Sequence, residues 1–401
     1  MAAGGYGAGT AVIGANLRHL RVFLAVAVGG SVTGAAEVCR VSQPAVTQAI
    51  AKLERLANVP LFSRSSQGLF ATEAAVMMRA RVATALSLLD AAFAEFAPRL
   101  SLTATRAQLA ALIATAETQN FSLAARRLGI AQPTAHRAVA QLEQEAGRDL
   151  FQRTAHGVLA TRACAAVVRA ARLAFVELDQ AEAELADLVG RDVGEIVIGA
   201  MPLSRSYVLP QALGQFRKLR PLMPVRILEG TYDELLAGLR RGEIDLLIGA
   251  LRFPAPIDDI RQQPLFDDSL VLLAGEGHPL LTRPVALADL TAFPWLVPRR
   301  ETPSRLQFDA MFCGAGLPAP QGLIETGSVI LMREMVQDSR HLACISRAQA
   351  SGELSRGLVR ALEFAVPGPA RPIGLTLREG WRPTPAQAAL LDAIRQVTEG
   401  Q

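Results

Sequence analysis

The sequence predicts a multidomain chain of 401 residues: two small helix-rich units in tandem, each closed by a hairpin and a long helix, followed by an α/β domain. Three observations carry that expectation. Residues from Leu20 onward match residues from Leu109 onward without a gap, at a constant offset of 89 positions. Ala35-Ala36 falls on Ala124-Ala125, Gln43-Pro44 on Gln132-Pro133, and Leu53-Glu54 on Leu142-Glu143. Leu61-Phe62-x-Arg64 falls on Leu150-Phe151-x-Arg153, and Gly68-x-x-Ala71-Thr72 on Gly157-x-x-Ala160-Thr161. Composition alone accounts for a shared Ala-rich face, but not for these pairs in one order, so the segment is duplicated. The second observation is an apolar-periodic helical stretch after each copy, residues 75–96 and 165–189. The third is the change of character from Gly194, where apolar strand runs alternate with helices.

In order along the chain, residues 1–15 are Gly/Ala-rich and read as a disordered leader. Residues 17–28 form an apolar helical run closed by Gly29-Gly30. A short helix over 33–39 and the turn Arg40-Val41-Ser42 follow. Ser42 is a good N-cap, because its hydroxyl accepts a free amide of the next helix's first turn. Pro44 lies in that turn, where its missing N–H is harmless. Over 44–56, Val46, Ile50 and Leu53 share one face at i, i+4, i+7, leaving Gln43, Thr47 and Gln48 outward. Residues 61–72 read as a hairpin around Ser65 to Gly68. Two helices joined by a tight turn, the second with a polar tip, followed by a hairpin, make a winged helix-turn-helix suited to a DNA major groove.

The candidate DNA-binding residues are Thr33, Ser42, Gln43, Pro44, Thr47, Gln48 and Arg64 in copy one. In copy two they are Ser122, Gln132, Pro133, His136, Arg137 and Arg153. Gln, Thr and Ser suit base edges and phosphates, and the wing arginines suit the backbone. The bland alternative is a pair of helical packing modules.

Copy one, S-V-T-G-A-A-E-V-C-R-V-S-Q-P-A-V-T-Q-A-I-A-K-L-E with L-F-S-R after it, closely resembles the DNA-binding domain of LysR-type transcriptional regulators. Copy two, F-S-L-A-A-R-R-L-G-I-A-Q-P-T-A-H-R-A-V-A-Q-L-E with L-F-Q-R, resembles it as well. The usual member of that family carries one such domain, so the second is a departure. Copy one has Gln48 where the family usually has Arg. Copy two keeps Arg137 there, but Ala131 replaces the capping Ser and His136 the small hydroxyl residue. Loss of the cap costs about 1 kcal/mol of helix stability. The resemblance also implies that the linker helix pairs antiparallel with that of a second subunit. Here a counterpart exists in the same chain.

Charge agrees. Residues 16–74 hold six Lys/Arg and three Asp/Glu, residues 105–163 seven and four, so each copy is +3 in a chain of net +4. That balance suits a nucleic-acid partner. Cys39, Cys164, Cys313 and Cys344 have no paired spacing, against a zinc cluster or a disulfide framework. Cys39 reads as a small core hydrophobe. Arg18, His19 and Arg21 before an apolar run imitate a signal peptide, but copy two repeats that run inside the chain. No apolar run is long enough to span a membrane. A cytoplasmic protein is expected.

In the last half, 195–199, 225–228 and 244–249 read as strands and 210–220 and 233–241 as helices, an alternation that indicates a parallel sheet. Strands at 270–274, 295–297 and 342–345 and a helix at 328–336 continue the style. This half resembles the family's effector-binding domain, an α/β two-lobed periplasmic-binding-protein-like (type 2) fold. Within the family it looks most like regulators of sugar and protocatechuate catabolism, on G-A-L-R, P-L-F-D-D-S-L-V-L-L-A and G-H-P-L-L. The expected domains are 16–74 and 75–99, 105–163 and 164–190, and 194–397. The lobes of the last are 194–270 with 365–397, and 271–364.

Ligands in such folds sit between the lobes at strand C-termini and helix N-termini. Ser204, Arg205, Arg299, Arg300, Ser304 and Ser328 fall there. Ser204 and Ser328 would start helices and offer hydroxyls beside free N–H groups, and Arg299 or Arg300 would clamp a carboxylate. His278 reads as a turn residue before Pro279. No Ser/His/acid set, metal-ligand cluster or phosphate loop is present, so neither an enzyme nor a cofactor is expected. The expected partners are double-stranded DNA, a small effector (sugar, sugar acid, or aromatic or organic acid) and copies of the chain. A dimer is favoured over a tetramer. The rivals are a regulator whose copy one only docks, and an exported solute-binding protein.

Overall fold

Caps decide where the helices of the N-terminal half begin in the computed structural model. It describes residues 13–65, 68–94, 97–155, 157–300, 302–337 and 340–399. Most of the expected leader, 1–12, lies outside the described residues. Its end is corrected: Ile13–Ala15 form a short 3-10 turn, and Ile13 is buried in the core. Asn16 Oδ1 accepts from the Arg18 and His19 amides and starts α1 (Leu17–Gly29). Ser31 caps α2 (Val32–Cys39), and Ser42 caps α3 (Gln43–Ala57) by accepting from Ala45 N at 3.4 Å. A hairpin of β1 (Phe62–Ser65) and β2 (Gly68–Ala71) leads into α4 (Glu73–Ala94). After α4 the sequence anticipated only linker, but Leu100–Thr103 forms α5, anchored by buried Leu100.

The same order then recurs. α6 (Arg106–Thr118) has a capping box between Thr105 and Gln108, and α7 (Phe121–Leu128) is capped by Asn120. α8 (Gln132–Ala146) starts at Ala131 with no side-chain cap, as the substitution implied. β3 (Phe151–Thr154) pairs with β4 (Gly157–Ala160), and α9 (Arg162–Asp187) follows, capped by Thr161. Both long helices start directly after the wing Thr, before the expected positions 75 and 165, because Thr72 and Thr161 accept from the Ala75 and Cys164 amides.

The repeated motifs acquire physical causes. Glu54 Oε1 accepts from the amides of Leu61 and Phe62, and Glu143 Oε1 from those of Leu150 and Phe151. The Leu-Glu and Leu-Phe pairs are therefore two halves of one latch tying the third helix to the wing. Gly157 has φ 144, and an added Cβ would run into the Gln119 carbonyl oxygen, which Val158 N already bonds at 2.9 Å. Only glycine fits there.

The long helices pair with each other and share one core with α1 and α6. Arg81, 1% exposed, lies in the N-terminal half of α4. It donates to Glu177, Gln180 and Glu184 in the C-terminal half of α9, as an antiparallel pair does.

Residues Met1–Gly194 and Glu195–Gln401 are two compact units. The second holds two five-stranded sheets. β5 (Ile196–Ala200), α10 (Leu209–Leu219), β6 (Val225–Leu228), α11 (Tyr232–Arg240), β7 (Leu246–Ala250) and β8 (Ile260–Asp268) build the first lobe. The chain crosses at Ser269 into β9 (Leu270–Ala274), β10 (Trp295–Val297), α12 (Pro303–Cys313), β11 (Leu323–Glu325), α13 (Val329–Gln337), β12 (Leu342–Ser346), α14 (Arg347–Ser355) and β13 (Arg360–Ala361). It returns through β14 (Arg371–Arg378) and ends with α15 (Pro385–Thr398) in the first lobe. The expected parallel sheet is corrected: β6, β5 and β7 are parallel, but β14 is antiparallel to β7 and β8. The returning strand arrives from the opposite end, which makes the sheet mixed.

Candidate DNA interface and effector cleft

In copy one the recognition helix is two-faced. Val46, Ala49 and Leu53 are buried against α1 and α2, while Gln43, Pro44, Thr47 and Gln48 are exposed. Thr33 on α2 and Ser42 at the cap are exposed beside them. Thr47 Oγ1 donates to the Gln43 carbonyl at 3.2 Å, within its own helix. Arg64 lies on β1, and its side chain is outside the described residues. Cys39 is half-buried against the same core.

Copy two repeats the arrangement with other side chains. Ala135, Val139 and Leu142 are buried, and Gln132, Pro133, His136 and Arg137 are exposed, with Ser122 on α7 and Arg153 on β3. The His136 ring rests 5.0 Å from the Phe121 ring centroid, so part of it is packed. Arg137 Nε donates to the Pro133 carbonyl at 3.4 Å.

In the second unit the parallel register of β10 and β11 sets their C-terminal ends side by side, so residues 298–300 adjoin 326–328. Thr326 N donates to the Val297 carbonyl at 2.9 Å. A Cβ on Gly327 would stand 3.6 Å from Pro202 of the first lobe, which brings the Met201–Arg205 segment to the same place. Three expected stretches thus converge.

Individual residues fare differently. Ser328 is an exposed N-cap for α13 and accepts from Leu331 N at 3.2 Å. Ser204 is corrected: it is 0% exposed, opens a π turn (Ser204–Val208), and donates its hydroxyl to the Met201 carbonyl at 2.7 Å. It offers no free hydroxyl, because Met201 curls back over Gly249 and its carbonyl takes that proton. Arg205 pairs with Glu229. Arg300 pairs with Glu325 at 2.8 Å, whose carboxyl is held below its usual range by Arg300 and then Arg305. Arg299 is exposed and has no ion-pair partner among the described residues. His278 is a buried turn cap, its Nδ1 accepting from Leu280 N at 3.2 Å.

Sequence reasoning missed the residues that join the lobes. Arg371, first in β14, pairs with Asp268, last in β8, at 2.5 Å, and also donates to Ser304. Asp268 accepts from Ala348 N at 3.1 Å. Burial raises the Asp268 carboxyl, opposed by the Ala348 amide and Arg371. The signal was F-D-D-S at the end of a strand, but its partner lies 103 residues away.

A helix-turn-helix surface ahead of a two-lobed α/β domain defines a DNA-binding protein with a ligand-binding module. The family model for bacterial regulatory helix-turn-helix proteins of the lysR family matches residues 17–76 and again 107–165, and that for the LysR substrate binding domain matches 190–399. HTH-type transcriptional regulator GalR of Pseudomonas putida is 35% identical over 391 residues, covering 96% of this chain and 98% of that protein. HTH-type transcriptional regulator PcaQ of Agrobacterium fabrum is 27% identical over 274 residues, 68% of this chain and 88% of that one. Full-length OxyR of Pseudomonas aeruginosa superposes with a TM-score of 0.53 at 24% identity, covering 74% of this chain and 96% of that one. The chain belongs to the LysR family. It is a DNA-binding transcriptional regulator with an effector-binding domain. No described helix is long and apolar enough to cross a membrane, and no described cluster of His, Cys, Asp and Glu could hold a metal ion.

Proposed function

We propose that both N-terminal copies are winged helix-turn-helix reading heads from a duplication, held side by side by α4 and α9. The effector bound between the lobes then controls how they sit on DNA. The observation that carries this is the recurrence, in both copies, of an exposed polar tip on a third helix whose opposite face is buried. An alignment over 391 residues with GalR runs through both copies. The proposed domain limits are 16–74 and 105–163 as heads, 75–99 and 164–190 as linkers, and 194–397 as the effector domain. With DNA as its target, the protein acts in the cytoplasm.

The effector is a small anion or polyol (sugar, sugar acid, or aromatic or organic acid), in keeping with the regulators of sugar and protocatechuate catabolism. Arg299, exposed and in no close ion pair among the described residues, and Ser328 at the start of α13 are its anchors, with Arg300 and Ser304 flanking. A ligand shifts the regulator only by its differential affinity for the two states. Linker pairing inside one chain leaves effector-domain contacts to associate chains, which gives a dimer with four heads.

Footprinting and binding titrations with Gln43→Ala and Gln132→Ala test the reading. Each variant weakens operator binding by about 1–3 kcal/mol. Unchanged affinity in Gln43→Ala beside lost affinity in Gln132→Ala would leave copy one a docking module. A stable tetramer in light scattering at micromolar concentration would exclude internal pairing as the sole arrangement.

A further inference from the structure

We infer that neighbouring heads read two unlike half-sites, with a G·C pair demanded by α8 at the place where α3 does not demand one. The inference rests on the reading that both copies contact bases. Its first support is the tips themselves. Thr47 and Gln48 in copy one stand where copy two has His136 and Arg137, and all four are exposed. An arginine forks onto G O6 and N7, whereas glutamine pairs with A N6 and N7. Arg137 bonds only a carbonyl of its own helix through Nε, so its terminal nitrogens have no partner among the described residues.

The second support is a pairing rule written in the linker helices. Arg81 of α4 meets Glu177, Gln180 and Glu184 of α9. At the repeat offset, Arg81 corresponds to Ala170. Two α9 helices paired in this register would set Ala170, beside the exposed Arg169, where α4 has the buried Arg81, and the buried cation that Glu177 and Glu184 share would be lost. Loss of the central cation from a buried ionic cluster is unfavourable. α9 therefore pairs with α4, and each chain holds one of each, so every head pair joins copy one to copy two. This holds whether the pair forms within a chain or between chains. An operator mirrors the symmetry of the heads that bind it. Identical heads select one repeated half-site, and unlike heads select two.

Selection of bound DNA from a random library by the full-length protein tests this. The expected result is two different half-site sequences in equal number, one carrying a fixed G·C pair. Arg137→Gln removes that pair's preference and weakens binding to the selected site on the order of 10- to 100-fold. Thr47→His/Gln48→Arg, both at exposed positions, converts the selection to a single repeated half-site. One half-site sequence selected by the wild type would overturn the inference while both heads still read. Sequence information confined to one half-site of a full-length footprint would overturn the two-reader proposal beneath it.

Discussion

Replacing Arg81 by methionine keeps most of the side chain's volume and removes only its charge and donors. The Arg81 side chain is 2% exposed, and the Glu177 and Glu184 side chains are 12% and 11% exposed. It donates to Glu184 at 3.0 and 2.5 Å, to Glu177 at 3.1 Å and to Gln180 at 2.7 Å. Without it, Glu177 and Glu184, two turns apart on α9, lose the buried cation they share. Removing one member of such a buried set costs about 3–5 kcal/mol. For a unit of this size that lowers the melting midpoint by roughly 6–20 °C. The triple variant Arg81→Leu/Glu177→Leu/Glu184→Leu removes all three charges, and apolar replacement of a buried ionic cluster is often neutral or stabilising. Scanning calorimetry of the full-length protein would resolve the transition of the N-terminal unit. A single variant within about 1 kcal/mol of the wild type would refute the reasoning. So would a triple variant as unstable as the single one, since the loss would then be one of packing.

Burial raises the Asp245 carboxyl to about 6, against the Val197 amide and Arg378, which lower it. A raised folded-state value means stability that is complete below the unfolded value and lost as pH rises through 6. The loss is about 3 kcal/mol between pH 4 and 7. Asp245→Asn abolishes that slope in chemical denaturation of the effector domain, and parallel wild-type and variant profiles would count against it. Burial pushes the Cys164 and Cys344 thiols up to about 12. Mass spectrometry after brief alkylation of native protein should therefore find Cys313, which is exposed, modified first, and Cys164 and Cys344 only after unfolding. Ala131→Ser supplies the cap that α8 lacks and raises stability by about 1 kcal/mol in thermal melts. No gain would mean that the α8 start is held from elsewhere.

The N-terminal elements were legible because caps and apolar spacing act within a few residues. Ser42, Gly30 and the Val46/Leu53 face announce α1 to α3 without any knowledge of partners. The Leu-Glu and Leu-Phe pairs were visible as a pattern but not as a latch, since a bond from Glu54 to Leu61 has no periodicity. The α4 stripe announced a partner helix, but Arg81 gave no sign of which carboxylates would receive it. The mixed sheet of the first lobe escaped because β14 joins it only after the whole second lobe has been built. At Ser204, a serine before a helix reads as a cap, and nothing local signals the π turn that turns its hydroxyl inward. Exposed tips on α3 and α8 were foreseen residue by residue, while the lobe-joining Arg371 and Asp268 were not.

The pairing of α4 with α9 inside one polypeptide also changes the mass action of DNA binding. Two separate subunits must meet before they can present two heads, so occupancy at low abundance falls with the square of concentration. A tethered pair meets at an effective concentration set by the chain itself, commonly millimolar for short connections. Its second head engages DNA as a unimolecular step. Under the two-reader proposal, a cell holding only a few copies of this regulator would still have every one of them bivalent.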